Sequence, residues 1–160
     1  MPMSTAQSPL MPLFTQAHAR AKEKSLAYAG AFTPQEAYGI LQADRTAVLV
    51  DVRTKVELAF VGRVPSAQNI EWATYPGMVA NPNFADELQS VLANRPKDTV
   101  VIFMCRTGAR SHNAATLAQQ LGFSNAYNML EGFEGEANQL QQRTLINGWR
   151  CAGLPWTNAS

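Results

Sequence analysis

A cysteine followed directly by an arginine, with a glycine and a second arginine close behind, is the stretch of this 160-residue chain with the most chemistry in it. It comprises Cys105, Arg106, Thr107, Gly108, Ala109, Arg110 and Ser111. A thiolate is a strong nucleophile, favoured over the thiol where cations and backbone N–H groups converge. Guanidinium forks match the geometry of oxyanions. Cys105 is therefore the candidate catalytic residue, and Arg106 to Ser111 the candidate anion-binding loop. Arg106 and Arg110 are candidates to grip an anionic substrate, and Arg110 is equally suited to anchoring the loop. Thr107 and Ala109 are expected to act through their backbone and small size, and Gly108 to permit a turn that a side chain would obstruct.

Such a loop needs rigid elements on both sides. Val100 to Met104 is a bounded apolar run rich in β-branched and aromatic residues, which predicts a strand buried on both faces of a parallel sheet. After the loop, Ala114, Leu117, Ala118 and Leu121 share one helical face, closed by Gly122 as the residue past the helix end. The helix is expected to begin within a residue or two of Ser111. A strand end, a tight loop and a helix N-terminus together present N–H groups and a positive dipole end to an anion. His112 is close to Cys105 in sequence, but its helical position directs it outward rather than toward the thiol as a base.

The remaining chain predicts an α/β domain. Residues 1–16 are rich in Pro, Ser, Thr and Met without periodicity and read as an arm, and Ala17 to Ala29 favours a helix with His18 solvated. Thr33-Pro34-Gln35-Glu36 is a capping box opening a helix with Ala37, Ile40 and Leu41 on its apolar stripe. Ala47 to Val50 reads as a strand ending in Asp51-Val52-Arg53, and Thr54 to Glu57 repeats the capping box. Asp51 is placed to pair with a loop arginine and hold its shape, and Arg53 to bond Glu57 on the next helix. Gly62 to Ile70 reads as a turn feeding a short strand. Phe84, Leu88, Val91 and Leu92 mark a helix stopped by Arg95-Pro96. Ala126 to Leu130 reads as a strand, and Glu136 to Ile146 as a last helix. Strands alternating with helices of this length predict a central, mainly parallel sheet flanked by helices.

Composition excludes several classes. A net charge of +1 offers no nucleic-acid or membrane surface, and no apolar run reaches membrane-spanning length. Two cysteines, Cys105 and Cys151, and two histidines give neither a disulfide framework nor metal-ligand spacing. A reduced, cytoplasmic setting is expected, with no metal and no cofactor. Cys151 reads as a packed or surface thiol rather than a partner for Cys105.

Four blocks in order carry a family resemblance: VLVDVR (Val48 to Arg53), GRVPSAQNI (Gly62 to Ile70), MCRTGARS (Met104 to Ser111) and LGFSNAYNMLEGFEG (Leu121 to Gly135). Together they resemble the single-domain rhodanese-like sulfurtransferases, over about Phe32 to Trp156. The resemblance implies a three-layer domain over 31–157 preceded by an arm and helix over 1–30. It further implies transfer of a sulfane sulfur from thiosulfate or a related anion to a thiol, cyanide or protein acceptor, through a Cys105 persulfide, with Asp51 and Arg53 in support. Three positions depart from the family: Arg63 stands for its usual histidine, Ser66 for its glycine, and Glu136 for the tryptophan at the end of the glycine turn.

Two other functions use related parts. A cysteine phosphatase or arsenate reductase places five residues between cysteine and arginine, whereas four separate Cys105 from Arg110. The shorter loop closes a smaller cup, better sized to one sulfur atom than to a tetrahedral oxyanion. A persulfide carrier or binding module in a sulfur relay is the other alternative, and the intact cysteine and basic loop suit a carrier better than a non-catalytic module.

Overall fold

The computed structural model describes residues 8–158, so 1–7 of the expected arm lie outside the described residues. Helices are α1 (Met11–Lys24), α2 (Pro34–Ala43), α3 (Lys55–Val61), α4 (Phe84–Val91) and α5 (Ala109–Gln120). Strands are β1 (Gly30–Phe32), β2 (Val48–Asp51), β3 (Gln68–Asn69), β4 (Ala73–Thr74), β5 (Val79–Ala80), β6 (Val101–Met104) and β7 (Ala126–Met129). Five strands form one sheet in the order β1-β7-β6-β2-β3, and every pairing in it is parallel. The β4–β5 pair is a small antiparallel ribbon outside it.

Alternation along β6 divides the core into two layers. Val101, Phe103 and Cys105 face Leu88 of α4 and Ala114, Ala115 and Ala118 of α5. Ile102 and Met104 face the other layer, with Ala17 of α1 and Ala37 and Ile40 of α2. All four β6 residues are buried, as the apolar run predicts for a central strand. Burying each large apolar side chain there contributes about 1.5–3 kcal/mol. The result is the three-layer α/β sandwich, with β6 in the middle of the sheet.

Topology places the reactive stretch. From β2 the chain leads through α3 to the edge strand β3, while from β6 it leads through α5 to β7 on the opposite side. The carboxyl ends of β2 and β6 therefore flank the switch point where parallel sheets open a binding crevice.

Both capping boxes form. The Thr33 hydroxyl accepts from the Glu36 N–H while Glu36 accepts from the Thr33 N–H, and Thr54 and Glu57 do the same. Helix α5 begins at Ala109 and is followed by Gly122 at φ 97°, the left-handed residue expected past its end.

Three expectations need correction. The N-terminal helix starts at Met11 inside the expected arm, because Pro12 suits a first turn and Phe14 anchors it edge-on to Phe32 and Tyr127. Close docking of α1 requires Gly30, where a Cβ would lie 2.5 Å from the Ala17 carbonyl oxygen. Helix α4 ends at Val91 rather than running to Arg95. No helix forms over 136–146: Asn138 Oδ1 accepts from Leu140 and Gln142 N–H groups, and Gln141 and Thr144 take positive φ. A side chain that satisfies the backbone locally competes with helix hydrogen bonding.

Candidate functional site

The site is built at the carboxyl end of β6. Cys105 is 1% exposed, with its side chain on the α5 face of the sheet. Its Sγ accepts a hydrogen bond from the Gly108 backbone N–H at 3.0 Å and lies 3.3 Å from the Ser111 hydroxyl oxygen. Gly108 sits at φ 114°, a conformation open to glycine that turns its N–H back onto the sulfur. Helix α5 starts at the next residue, so its positive end abuts the thiol.

Behind the loop, the turn after β7 fixes which way the peptide groups point. Phe133 N–H donates to the Cys105 carbonyl at 2.8 Å, and Glu134 and Gly135 N–H groups donate to the Arg106 carbonyl at 3.0 and 3.3 Å. With these carbonyls turned to the rear, the loop is free to present N–H groups to the front. Gly132 makes this possible. It lies at φ 69°, and a Cβ there would approach the Cys105 and Arg106 carbonyl oxygens to 2.5 Å. Tryptophan packing near this turn comes from further along the chain: Trp149 is buried and donates from Nε1 to the Pro155 carbonyl, while Glu136 is exposed.

The two loop arginines differ. Arg110 is bound by Glu57 through Nη1–Oε1 and Nη2–Oε2 contacts of 2.7 and 2.9 Å. Burial opposes the Glu57 charge, but hydrogen bonds from Arg110 and from the Thr54 N–H prevail and hold its carboxyl at about 2. The same hydrogen bond raises Arg110, helped by attraction to the sulfur of Cys105 and to Asp51. Arg106 is exposed. Both arginines line a groove of about 430 Å³ with Thr54, Val56, Tyr75 and Glu134.

The expected partnerships of Asp51 and Arg53 are corrected. Asp51 does not bond a loop arginine, and Arg53 does not bond Glu57. Arg53 is 0% exposed, and its Nη2 donates to Asp51 Oδ2 at 2.7 Å and to the Gly62 carbonyl at 2.9 Å. Its guanidinium lies 4.2 Å from the Phe133 ring centre. Asp51 also accepts from the Arg53 backbone N–H, so the DVR sequence folds back on itself. The pair braces Gly62 and Phe133 and so supports the loop from below.

Two residues of the site escaped sequence reasoning. Sequence spacing gives Glu57 a capping box and Arg53 as a partner, whereas its carboxylate, held by the capping geometry, meets Arg110 at the loop. Asn128 lies in the strand that the sequence predicts from Ala126 to Leu130, where an amide in the otherwise apolar AYNM is the available signal. Its Oδ1 accepts from the Ser111 hydroxyl at 2.6 Å. His112 projects outward as expected and shares a 2.6 Å hydrogen bond with the Tyr28 hydroxyl through Nδ1. Exposed His18 meets the Tyr127 hydroxyl at 2.9 Å. Cys151 is an exposed free thiol, while Cys105 is buried.

A family model for the rhodanese-like domain matches residues 33–139. This chain belongs to the rhodanese-like domain family. An uncharacterized Rickettsia prowazekii protein, RP600, is 36% identical over 121 residues, 76% of this chain and 91% of that one. A sulfurtransferase of Allochromatium vinosum is 31% identical over 108 residues, 68% of this chain and 76% of that one. Among solved structures, Rv0390 of M. tuberculosis superposes with a TM-score of 0.74 at 40% identity, covering 82% of this chain and 99% of the other. The rhodanese-like match begins at Thr33, so α1 and β1 precede it. No helix among the described residues is long and apolar enough to cross a membrane.

Proposed function

We propose that this protein is a sulfurtransferase that carries a sulfane sulfur on Cys105 from an anionic donor such as thiosulfate to a thiophilic acceptor. The observation that carries this reading is the sulfur's own environment. Cys105 Sγ sits at a helix N-terminus, accepting from the Gly108 N–H and 3.3 Å from the Ser111 hydroxyl oxygen, inside a loop whose rear carbonyls are occupied. Membership of the rhodanese-like family and similarity to the Allochromatium vinosum sulfurtransferase support it.

In the loading step the Cys105 thiolate attacks the outer sulfur of the donor. The new Sγ–S bond forms as the donor's S–S bond breaks, and sulfite leaves with the electron pair. In the discharge step the acceptor attacks the outer sulfur, and Cys105 departs as a thiolate. The persulfide is an anion, stabilised by loop N–H groups and the α5 dipole. Arg106, exposed on the groove, is assigned to the donor's sulfonate. Arg110, already held by Glu57, is assigned to shaping the loop and supplying positive charge.

The test is intact mass after incubation with thiosulfate, for wild type and Cys105→Ser. A gain of one sulfur mass on the wild type alone is expected. If thiosulfate gives no adduct, a protein persulfide is tried as donor, and loading by that donor alone would mark a relay carrier. Absence of an adduct with both donors, or an adduct on Cys105→Ser, overturns the proposal.

A further inference from the structure

Ser111 is 0% exposed and has one hydroxyl proton, yet two acceptors compete for it: Asn128 Oδ1 at 2.6 Å and Cys105 Sγ at 3.3 Å. The orientation of the Asn128 amide is set by its other end. Nδ2 donates to the Gly108 carbonyl at 3.2 Å, and a carbonyl can only accept, so Oδ1 must face Ser111. Oδ1 is likewise acceptor-only and claims the Ser111 proton at the shorter distance. Ser111 then turns a lone pair toward the sulfur.

That arrangement suits some states of Cys105 and not others. A protonated thiol donates its S–H to the Ser111 oxygen, completing a chain from Cys105 through Ser111 to Asn128. A bare thiolate has no proton to give. Ser111 must then rotate its hydroxyl onto Sγ, which strands the 5% exposed Asn128 against an oxygen lone pair. In the persulfide the charge resides on the outer sulfur and Sγ is a neutral bridge, so Ser111 stays on Asn128.

We infer that Asn128 is a positioning residue that, by holding the Ser111 proton, favours the thiol and persulfide forms of Cys105 over the bare thiolate. The persulfide part rests on the sulfurtransferase reading, while the competition for the Ser111 proton does not. Its consequence is a cysteine that retains its sulfur until an acceptor draws it off, since discharge must return the disfavoured thiolate. Asn128 thus opposes the loop amides and the α5 dipole, which favour the anion.

Other charged and titratable groups meet this corner from each neighbouring element. Arg106 and Arg110 belong to the loop, Asp51 comes from β2, Glu57 from α3 and Glu134 from the turn after β7. Tyr28, bonded to His112 of α5, approaches the Asn128 amide from the link before β1. All of them are retained in the substitutions below.

The test is a double-substitution cycle in a Cys151→Ser background, which leaves Cys105 as the one thiol. Wild type, Ser111→Ala, Asn128→Leu and the double variant are compared by iodoacetamide alkylation rate and by ultraviolet thiolate absorbance, each against pH. Asn128→Leu is expected to move both profiles to lower pH by about one pH unit, the order of one hydrogen bond to a charged atom. In the Ser111→Ala background the same change is expected to move neither. Unmoved profiles, a shift to higher pH, or an equal shift in both backgrounds overturns the proposal, the last by showing an effect through the Gly108 contact. Asn128→Ala replaces Asn128→Leu if the latter does not fold. Neither readout uses a sulfur donor, so failure here and failure of sulfur transfer are seen separately.

Discussion

Arg110 and Glu57 face each other across the mouth of the loop through two parallel hydrogen bonds, joining the second arginine of the reactive segment to the third residue of α3. Each side chain of the pair is under one-fifth exposed. The pair ties the element after β6 to the element after β2, the two strands whose carboxyl ends flank the crevice.

Glu57→Gln tests this tie. Since the folded carboxyl titrates at about 2 against an ordinary 4.5, the pair's stabilisation is fully present above about pH 4.5 and is lost as pH falls toward 2. The substitution is expected to reduce stability by about 1–3 kcal/mol at neutral pH, allowing for partial solvent screening. Urea denaturation against pH should show the wild type losing this increment on acidification while the variant's curve is flatter over that window. Parallel curves would remove the ion pair as its source.

The Asp51–Arg53 pair makes a different prediction, because both members are buried. Asp51→Asn leaves the Arg53 guanidinium without its counter-charge, and breaking such a pair costs about 3–5 kcal/mol. The expected result is a large fall in the urea midpoint. A variant as stable as wild type, defective only in turnover, would restore the direct link to the loop that the sequence suggested.

Gly132→Ala is expected to destabilise the protein by at least about 2 kcal/mol and to slow persulfide formation, since the added methyl meets the two carbonyls that the turn holds back. Gly122→Ala is the matched control. Its φ is also positive, at 97°, but the space around it is open, so it should lose only about 1 kcal/mol and no activity. Equal effects at both glycines would reduce the argument to backbone strain alone.

Arg106→Ala is expected to leave thermal stability within about 0.5 kcal/mol of wild type, as an exposed side chain should. The KM for thiosulfate should rise while alkylation of Cys105 is unchanged. An unaltered KM would move donor recognition to the backbone N–H groups.

The sequence by itself determined the class of fold and singled out the loop where the candidate site lies. The Val101 to Met104 run has one reading as a buried strand, both capping boxes fix their helix starts within four residues, and cysteine, glycine and arginine in one short loop constrain the chemistry locally. These are interactions between near neighbours, so they are written in spacing. Tertiary structure alone decided which charges meet. Asp51 was free on paper to reach a loop arginine, but Arg53 curls back to it, and Glu57 is left for Arg110, 53 positions away. The same holds for Asn128, which reaches Ser111 because β7 lies beside β6 and in front of α5. The expected helix over 136–146 failed for a local reason of the opposite kind, an asparagine that satisfied the backbone before a helix could. Propensity and spacing record what a residue does within a turn or two of itself. The partner of a long charged side chain depends on which strand ends the sheet order brings together.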